Sequence, residues 1–464
     1  MMYRKNVWSQ LSQDEIQQAM AMGDAYRAYL DESKTERECV EASVRLARNE
    51  GFISLEEARA QGKLQPGARV YADWMGKSLI AFILGAQPME KGMNILGAHI
   101  DSPRLDIKQN PLYEEESLGY LDTHYYGGIK KYQWVAVPLA MHGVVARKDG
   151  SIVKLSIGEK EEDPVFCISD LLVHLSGEQM KKTAAEVIEG ETLNVIIGSI
   201  PLKGEEKEPV KKALLQLLKD SYQIEEEDFL SAEIEIVPAG KSRDMGLDRS
   251  LIAGYGHDDR VCAYPSLKAL TDYSGTPERT LCCILTDKEE IGSVGATGMA
   301  SHFFENVCAE LLDAAGQYSE LTLRRMLIRS CMLSSDVSAG YDPNFSSVFE
   351  KKNAALMGYG VCFNKFTGRG GKGGSNDANA EYIALVRRLM DDAQVCFQTA
   401  ELGKVDVGGG GTIAYMCSKY GMSVIDAGIP VLSMHAPWEV ISRADLYAAY
   451  KGYCAFLNCP AMDL

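Results

Sequence analysis

Residues 13–31 and 36–49 place apolar side chains three and four positions apart, the spacing of one helix face. Ser12 stands where it would cap the first of these helices. The texture changes at Ser78. SLIAFILG and MNILGAHI are short apolar runs separated by the turn-like AQPMEKG, which predicts two buried strands. Residues 104–245 differ again. Half-polar alternating segments such as SIVKLSIGE, and the charged stretch KGEEKEPVKKALLQLLKDSYQIEEED, predict a β-rich module with a helix attached. From residue 250 strand and helix alternate, with apolar runs ending at Thr286, Ser335 and Met434. Helices are expected over about 258–273, 295–315, 378–392, 411–420 and 441–457. This order predicts an α/β fold whose mixed, mostly parallel sheet carries helices on both faces. The expected domains are residues 1–103 and 246–464 as one interrupted unit, with 104–245 inserted.

Composition narrows the class. The chain has 464 residues, 46% hydrophobic and 24% charged, enough for a sizeable core and more than one domain. A net charge of −17 argues against nucleic acid and anionic membrane as partners. No run approaches the ~18 apolar residues of a membrane span, and no apolar stretch follows Arg4–Lys5 as a secretory signal would require. The 12 cysteines are scattered and form no C-x-x-C pair, so free thiols in a reducing cytoplasm are expected. The glycine-rich FTGRGGKGGSND lacks the G-K-[ST] ending of a phosphate loop, which removes nucleotide binding from consideration.

Open α/β sheets gather ligands at the carboxyl ends of their strands. Several apolar runs here end in metal-capable side chains: His99 and Asp101, Glu289 and Glu290, Asp336, and His435. Asp258 and Asp259 stand just before an expected helix. Taken singly, each has an ordinary structural role, such as a helix cap for Asp258 or a solvated turn for DKEE. Taken together, that many carboxylates at one end of a domain are costly unless cations neutralise them. Carboxylate and imidazole ligands suit two divalent ions, zinc first, with cobalt or manganese as alternatives. One carboxylate can bridge the pair. Of the two adjacent glutamates, one can hold a metal while the other moves a proton.

The segments GAHIDSPRLD, GHDDR, DKEEIGSVGA, SSD and LSMHAPWE, in that order, resemble the M18 metallo-aminopeptidases, the family that includes aspartyl aminopeptidase. The resemblance runs from about residue 20 to the C-terminus and is nearest to the bacterial branch. It implies a zinc-aminopeptidase-like fold that cleaves the N-terminal residue from unblocked peptides. It assigns His99 and Asp336 to one metal, Glu290 and His435 to the other, Asp258 as the bridge, Glu289 as general base and Asp101 as the residue orienting His99. It further implies that the insertion is a dimerisation domain and that dimers build a tetrahedral dodecamer. Three residues are candidate substrate contacts on the same ground: His174 reaching a neighbouring subunit, Lys365 near an acidic side chain, and Gly410 in the GGGG stretch, whose N–H groups either hold substrate or permit close packing. Acidic and broad substrate preferences are both compatible with the sequence. Two other readings remain: another di-metal amidohydrolase, such as an M42-like peptidase or a deacylase, and a non-catalytic protein that assembles as a shell.

Overall fold

The computed structural model describes residues 5–460. These divide into two compact units, one made of residues 5–101, 242–434 and 439–460, the other of residues 102–241 and 435–438.

The first unit is built on a nine-stranded sheet. Its spatial order is Ile53–Ser54, Arg69–Trp74, Ser78–Ile83, Thr280–Thr286, Met93–His99, Cys331–Ser334, Ser423–Gly428, Val361–Asn364 and Phe397–Ala400. Met93–His99 runs parallel to both its neighbours, Thr280–Thr286 and Cys331–Ser334. Ser78–Ile83 and Val361–Asn364 pair antiparallel to the strands next inward, so the sheet is mixed but mostly parallel. The central strands read as unbroken apolar runs because both faces are covered. Along Ser78–Ile83, Leu79, Ala81 and Ile83 face one core, with Tyr26, Leu267 and Phe456 from covering helices. Ile80 and Phe82 face the other, with Phe303 and Leu327.

Local signals set the helices. Gln13–Asp31 begins in a capping box: Ser12 Oγ accepts from the Glu15 N–H at 3.3 Å, and Glu15 Oε2 accepts from the Ser12 N–H at 3.0 Å. Thr35 and Glu38 repeat the device for Glu36–Asn49. Helices also cover His257–Thr271, Ala380–Asp392 and Arg443–Leu457, close to the expected limits.

Three expectations need correction. The helix expected from residue 295 starts at Phe303, because residues 293–301 close on themselves through turns such as Ala300 N–H to the Ser293 carbonyl, 3.1 Å. The helix expected over 411–420 shrinks to Ala414–Ser418. The run ending at Met434 is not one strand of the main sheet. That strand stops at Gly428, where a Cβ would lie 1.6 Å from the Asp336 carbonyl oxygen, and a two-residue strand, Pro430–Val431, then pairs with Ser338–Ala339. Two short helices, Leu55–Gln61 and Glu320–Ile328, were not foreseen.

The second unit holds a six-stranded, wholly antiparallel sheet in the order Ile152–Ile157, Leu139–Ala146, Ala232–Pro238, Arg104–Glu115, Leu118–Tyr126 and Val195–Gly198. Its helix, Pro209–Tyr222, is capped from outside: the N–H groups of Val210 and Lys211 donate to Glu114 Oε2 at 2.8 and 2.9 Å. Among the described residues no helix is long and apolar enough to cross a membrane.

Glu15 also receives Lys451 Nζ at 2.9 Å, and this bond together with the cap holds its carboxyl down to about 2. A depressed folded-state value means that the stability contributed by ionised Glu15 is present above its unfolded value and lost as pH falls toward 2. The stability difference between wild type and Glu15→Gln, measured by urea unfolding, is therefore expected to be full at neutral pH and to shrink below about pH 4.5. A difference that does not change with pH would contradict this.

Candidate metal centre

The strand Met93–His99 delivers His99 into the interior, 2% exposed. Its Nδ1 lies 3.0 Å from the Asp101 carbonyl oxygen and 3.3 Å from Asp101 Oδ1. Acceptors on that side place the ring proton on Nδ1 and the lone pair on Nε2. Nε2 faces Asp258 Oδ1 at 3.0 Å and Glu289 Oε2 at 3.9 Å.

Asp258 is not a helix cap. The helix His257–Thr271 is preceded by Gly256, and Asp258 has φ −78° and ψ 106°, outside the helical region. The Asp258–Asp259 peptide is cis. The Asp258 N–H donates to Glu439 Oε2 at 3.1 Å, so a buried glutamate fixes the backbone from which Asp258 projects. Sequence reasoning passed over Glu439. The available signal was its position as the last residue of LSMHAPWE, a charged residue entering the strand Glu439–Ser442.

Glu289 and Glu290 are not strand-end residues. The strand stops at Thr286, Lys288 turns the chain with φ 68°, and the glutamates open a single 3-10 turn, Glu289–Ile291. Their N–H groups donate to the two oxygens of one carboxylate: Glu289 to Asp101 Oδ1 at 3.1 Å and Glu290 to Asp101 Oδ2 at 3.2 Å. Asp101 therefore does more than orient His99. It ties the end of one strand to the turn after the next. Asp287, just before this turn, is fully buried and accepts from Thr297 Oγ1 at 2.6 Å.

Asp336 follows the strand Cys331–Ser334. Ligand-capable atoms then converge in three overlapping groups: His99 with Glu289 and Asp336, His99 with Asp258 and Glu290, and Asp258 with Asp259 and Asp336. Within each group the atoms lie within 4.8 Å of one another. Ligands at ~2.0–2.2 Å from a common tetrahedral ion stand about 3.3–3.6 Å apart, so a donor set gathered within 4.8 Å needs only small side-chain shifts to close on a divalent cation, and its chemistry suits one. The electrostatics agree. Burial and neighbouring carboxylates push Asp259 and Asp336 well above the ordinary carboxylate range. Burial opposes charging of His99, but hydrogen bonds to Asp101 and Asp258 and the fields of Asp259 and Glu289 outweigh it and raise its pKa, so without a cation a proton sits on Nε2 as well, and a cation bound there would replace it. Asp259, set aside in the sequence reading, belongs to this cluster.

The remaining candidates lie outside these groups. His435 has φ 66°, clusters with the second compact unit, and has Nδ1 2.8 Å from the Gly128 carbonyl oxygen, which leaves its lone pair on Nε2. His174 is exposed in the 3-10 turn Val173–Leu175, also in the second unit. The exposed Lys365 bonds Asp377, which Lys372 also approaches at 3.0 Å. The Gly410 N–H donates to the Thr367 carbonyl at 2.9 Å.

The sequence profile of the family described as aminopeptidase I zinc metalloprotease (M18) matches residues 29–457. The chain is 55% identical over 456 residues to a probable M18 family aminopeptidase 1 of Clostridium acetobutylicum, covering 98% of both proteins. Its fold superposes on the crystal structure of an M18 family aminopeptidase from Thermotoga maritima with a TM-score of 0.95 at 44% identity, over 99% of this chain and 100% of that one. A more distant likeness, in fold alone, is to the mApe1 dodecamer of S. cerevisiae, with a TM-score of 0.74 at 21% identity over 94% and 96% of the two chains.

Because Asp101 holds both His99 and the Glu289–Glu290 turn, Asp101→Ala is expected to weaken divalent-metal affinity by about 10–100-fold, measured by competition with a chromophoric chelator. Unchanged affinity would remove Asp101 from the account.

Proposed function

The chain belongs to the M18 zinc metalloprotease family of aminopeptidases, and from that premise we propose that it releases the N-terminal residue of unblocked peptides at a two-metal centre with Glu289 as general base. The observation that carries this reading is the overlap of three ligand-capable groups around His99, Asp258 and Asp336. In this assignment Asp258, His99 and Asp336 would hold one ion, and Asp258 with Glu290 would hold the other. The family pattern adds His435 to the second ion, and the tautomer set by the Gly128 carbonyl suits that role.

Two divalent cations, zinc by family, would act as Lewis acids on the scissile carbonyl and lower the pKa of a water. The chain's own residues do the rest. Glu289, whose Oε2 lies 3.9 Å from His99 Nε2, takes the proton of the attacking water and hands it to the departing amine nitrogen. Asp101 keeps the base in place by holding its backbone rather than its carboxylate. Both an acidic and a broad residue preference fit this reading, since the half-exposed Lys365–Asp377 pair is weak enough to open for an acidic side chain.

The second unit is proposed as the dimerisation module of a tetrahedral dodecamer. It presents an apolar strip around His174, with Val173 73% and Leu175 71% exposed, of the kind that marks a protein interface. His174 is the residue of that strip proposed to reach a neighbouring subunit's substrate. Twelve free cysteines suit a cytoplasmic setting.

Glu289→Gln is expected to retain its metal and lose about 10²–10⁴-fold in kcat on aminoacyl amides. Near-normal turnover would overturn the base assignment. Asp258→Ala is expected to lose both ions by elemental analysis, and full metal content would remove Asp258 as the bridge. Activity on N-acylated but not free-amine substrates would turn the reading toward a deacylase.

A further inference from the structure

On the first unit, away from the metal-binding groups, a buried arginine has no acidic partner among the described residues. Arg279 is 4% exposed. Its Nη1 donates to Asn94 Oδ1 and its Nη2 to the Arg329 carbonyl, each at 2.7 Å, and its Nε has no acceptor among the described residues. Its other contacts are carbonyl oxygens of Lys91, Met93 and Pro460 at 3.3–3.5 Å. A buried cation neutralised only by dipoles favours an anion beside it. A thiol lies beside it: Cys331 Sγ is 3.5 Å from Arg279 Nη1.

A second thiol faces the first. Cys459 Sγ is 4.0 Å from Cys331 Sγ, and both residues are 2% exposed. Asn94 fixes the pair: its Nδ2 donates to the carbonyls of Leu457 and Cys459 at 3.0 and 2.9 Å, holding the segment after the helix Arg443–Leu457 against the head of the strand Cys331–Ser334. The two thiols are inequivalent. The contact with Cys459 and the field of Arg279 lower the Cys331 pKa against the opposing effect of burial, whereas the contact with Cys331 and burial raise that of Cys459. The thiolate is the nucleophile in thiol oxidation, so the asymmetry decides which sulfur reacts first. Asn458 and Pro460, on either side of Cys459, are exposed, so the thiol pair lies just beneath the surface.

We infer that Cys331 and Cys459 form an oxidation site at which a hydroperoxide makes an intrachain disulfide. The Cys331 thiol gives up its proton, and its sulfur attacks one oxygen of hydrogen peroxide. The O–O bond breaks to leave a sulfenic acid and hydroxide. Cys459 yields its proton to that hydroxide, forming water. Its sulfur then attacks the sulfenyl sulfur, the S–O bond breaks, and the departing hydroxide takes up the proton first released by Cys331. Two thiols are oxidised and one peroxide is reduced to two waters. The sulfurs close from 4.0 Å to the ~2.05 Å of a disulfide by side-chain rotation and a small shift of the tail. The product ties residue 459 to the strand that leads to Asp336, closing a long loop of chain.

The test treats the full chain with stoichiometric hydrogen peroxide, blocks remaining thiols with iodoacetamide, and maps the non-reduced digest by mass spectrometry. The expected result is a peptide linking Cys331 to Cys459, loss of two of the 12 thiols, and reversal by dithiothreitol. Oxidised wild type is expected to melt at a higher temperature than reduced, with no such shift in Cys459→Ser. Recovery of both cysteines as alkylated thiols, or a disulfide joining other cysteines in the folded chain, would overturn the proposal. A Tm unmoved by a disulfide that does form would overturn the stapling role.

Discussion

Repulsion among carboxylates shapes the centre of this protein. Asp258, Asp259, Glu289, Glu290 and Asp336 bring ligand-capable oxygens together around a single imidazole, His99. A buried charge without compensation costs several kcal/mol, and a domain is stable by only about 5–15 kcal/mol in total. The fold therefore tolerates such a cluster only with positive charge among the carboxylates. The raised values of Asp259 and Asp336 express the same demand, since protons would otherwise have to meet it. Divalent cations would meet it and would add chemistry that protons do not supply.

The surrounding structure aims the carboxylates mainly through their backbones. Asp101 grips the N–H groups of Glu289 and Glu290, and Glu439 grips that of Asp258. The grips are themselves carboxylates, so the acidic character of the region extends beyond the ligands. They join elements far apart in sequence. The turn after Thr280–Thr286 hangs from the end of Met93–His99, and the start of His257–Thr271 hangs from Glu439–Ser442. The parallel pairing of Thr280–Thr286 with Met93–His99, which sets Thr286 opposite His99, makes the first of these joins possible.

Much of this was legible in the chain. Continuous apolar runs announced a sheet covered on both faces, and the alternation of Leu79, Ile80, Ala81 and Phe82 between two cores shows why no polar alternation was present to read. His99, Glu289, Glu290 and Asp336 were singled out by asking which runs end in ligand-capable side chains, and Asp258 by its place before an expected helix; all five fall in the ligand-capable groups. The features that spacing did not show have physical causes. His435 follows an apolar run, but Gly428 meets the Asp336 carbonyl and Pro430 has no N–H to continue a ladder, so the run breaks before the histidine. Glu439 and the second role of Asp101 act on backbone N–H groups brought near only by the fold, which residue spacing does not encode. The Gly410 N–H meets the Thr367 carbonyl across a similar gap in the chain. The thiol contact between Cys331 and Cys459 likewise joins residues 128 positions apart.

The most direct measurement is anomalous diffraction at the zinc absorption edge from crystals of the zinc-loaded protein. The account predicts two peaks a few ångströms apart, both within coordination distance of Asp258, with His99 and Asp336 about one and Glu290 about the other. Peaks elsewhere in the molecule, or no peak among these side chains, would contradict it.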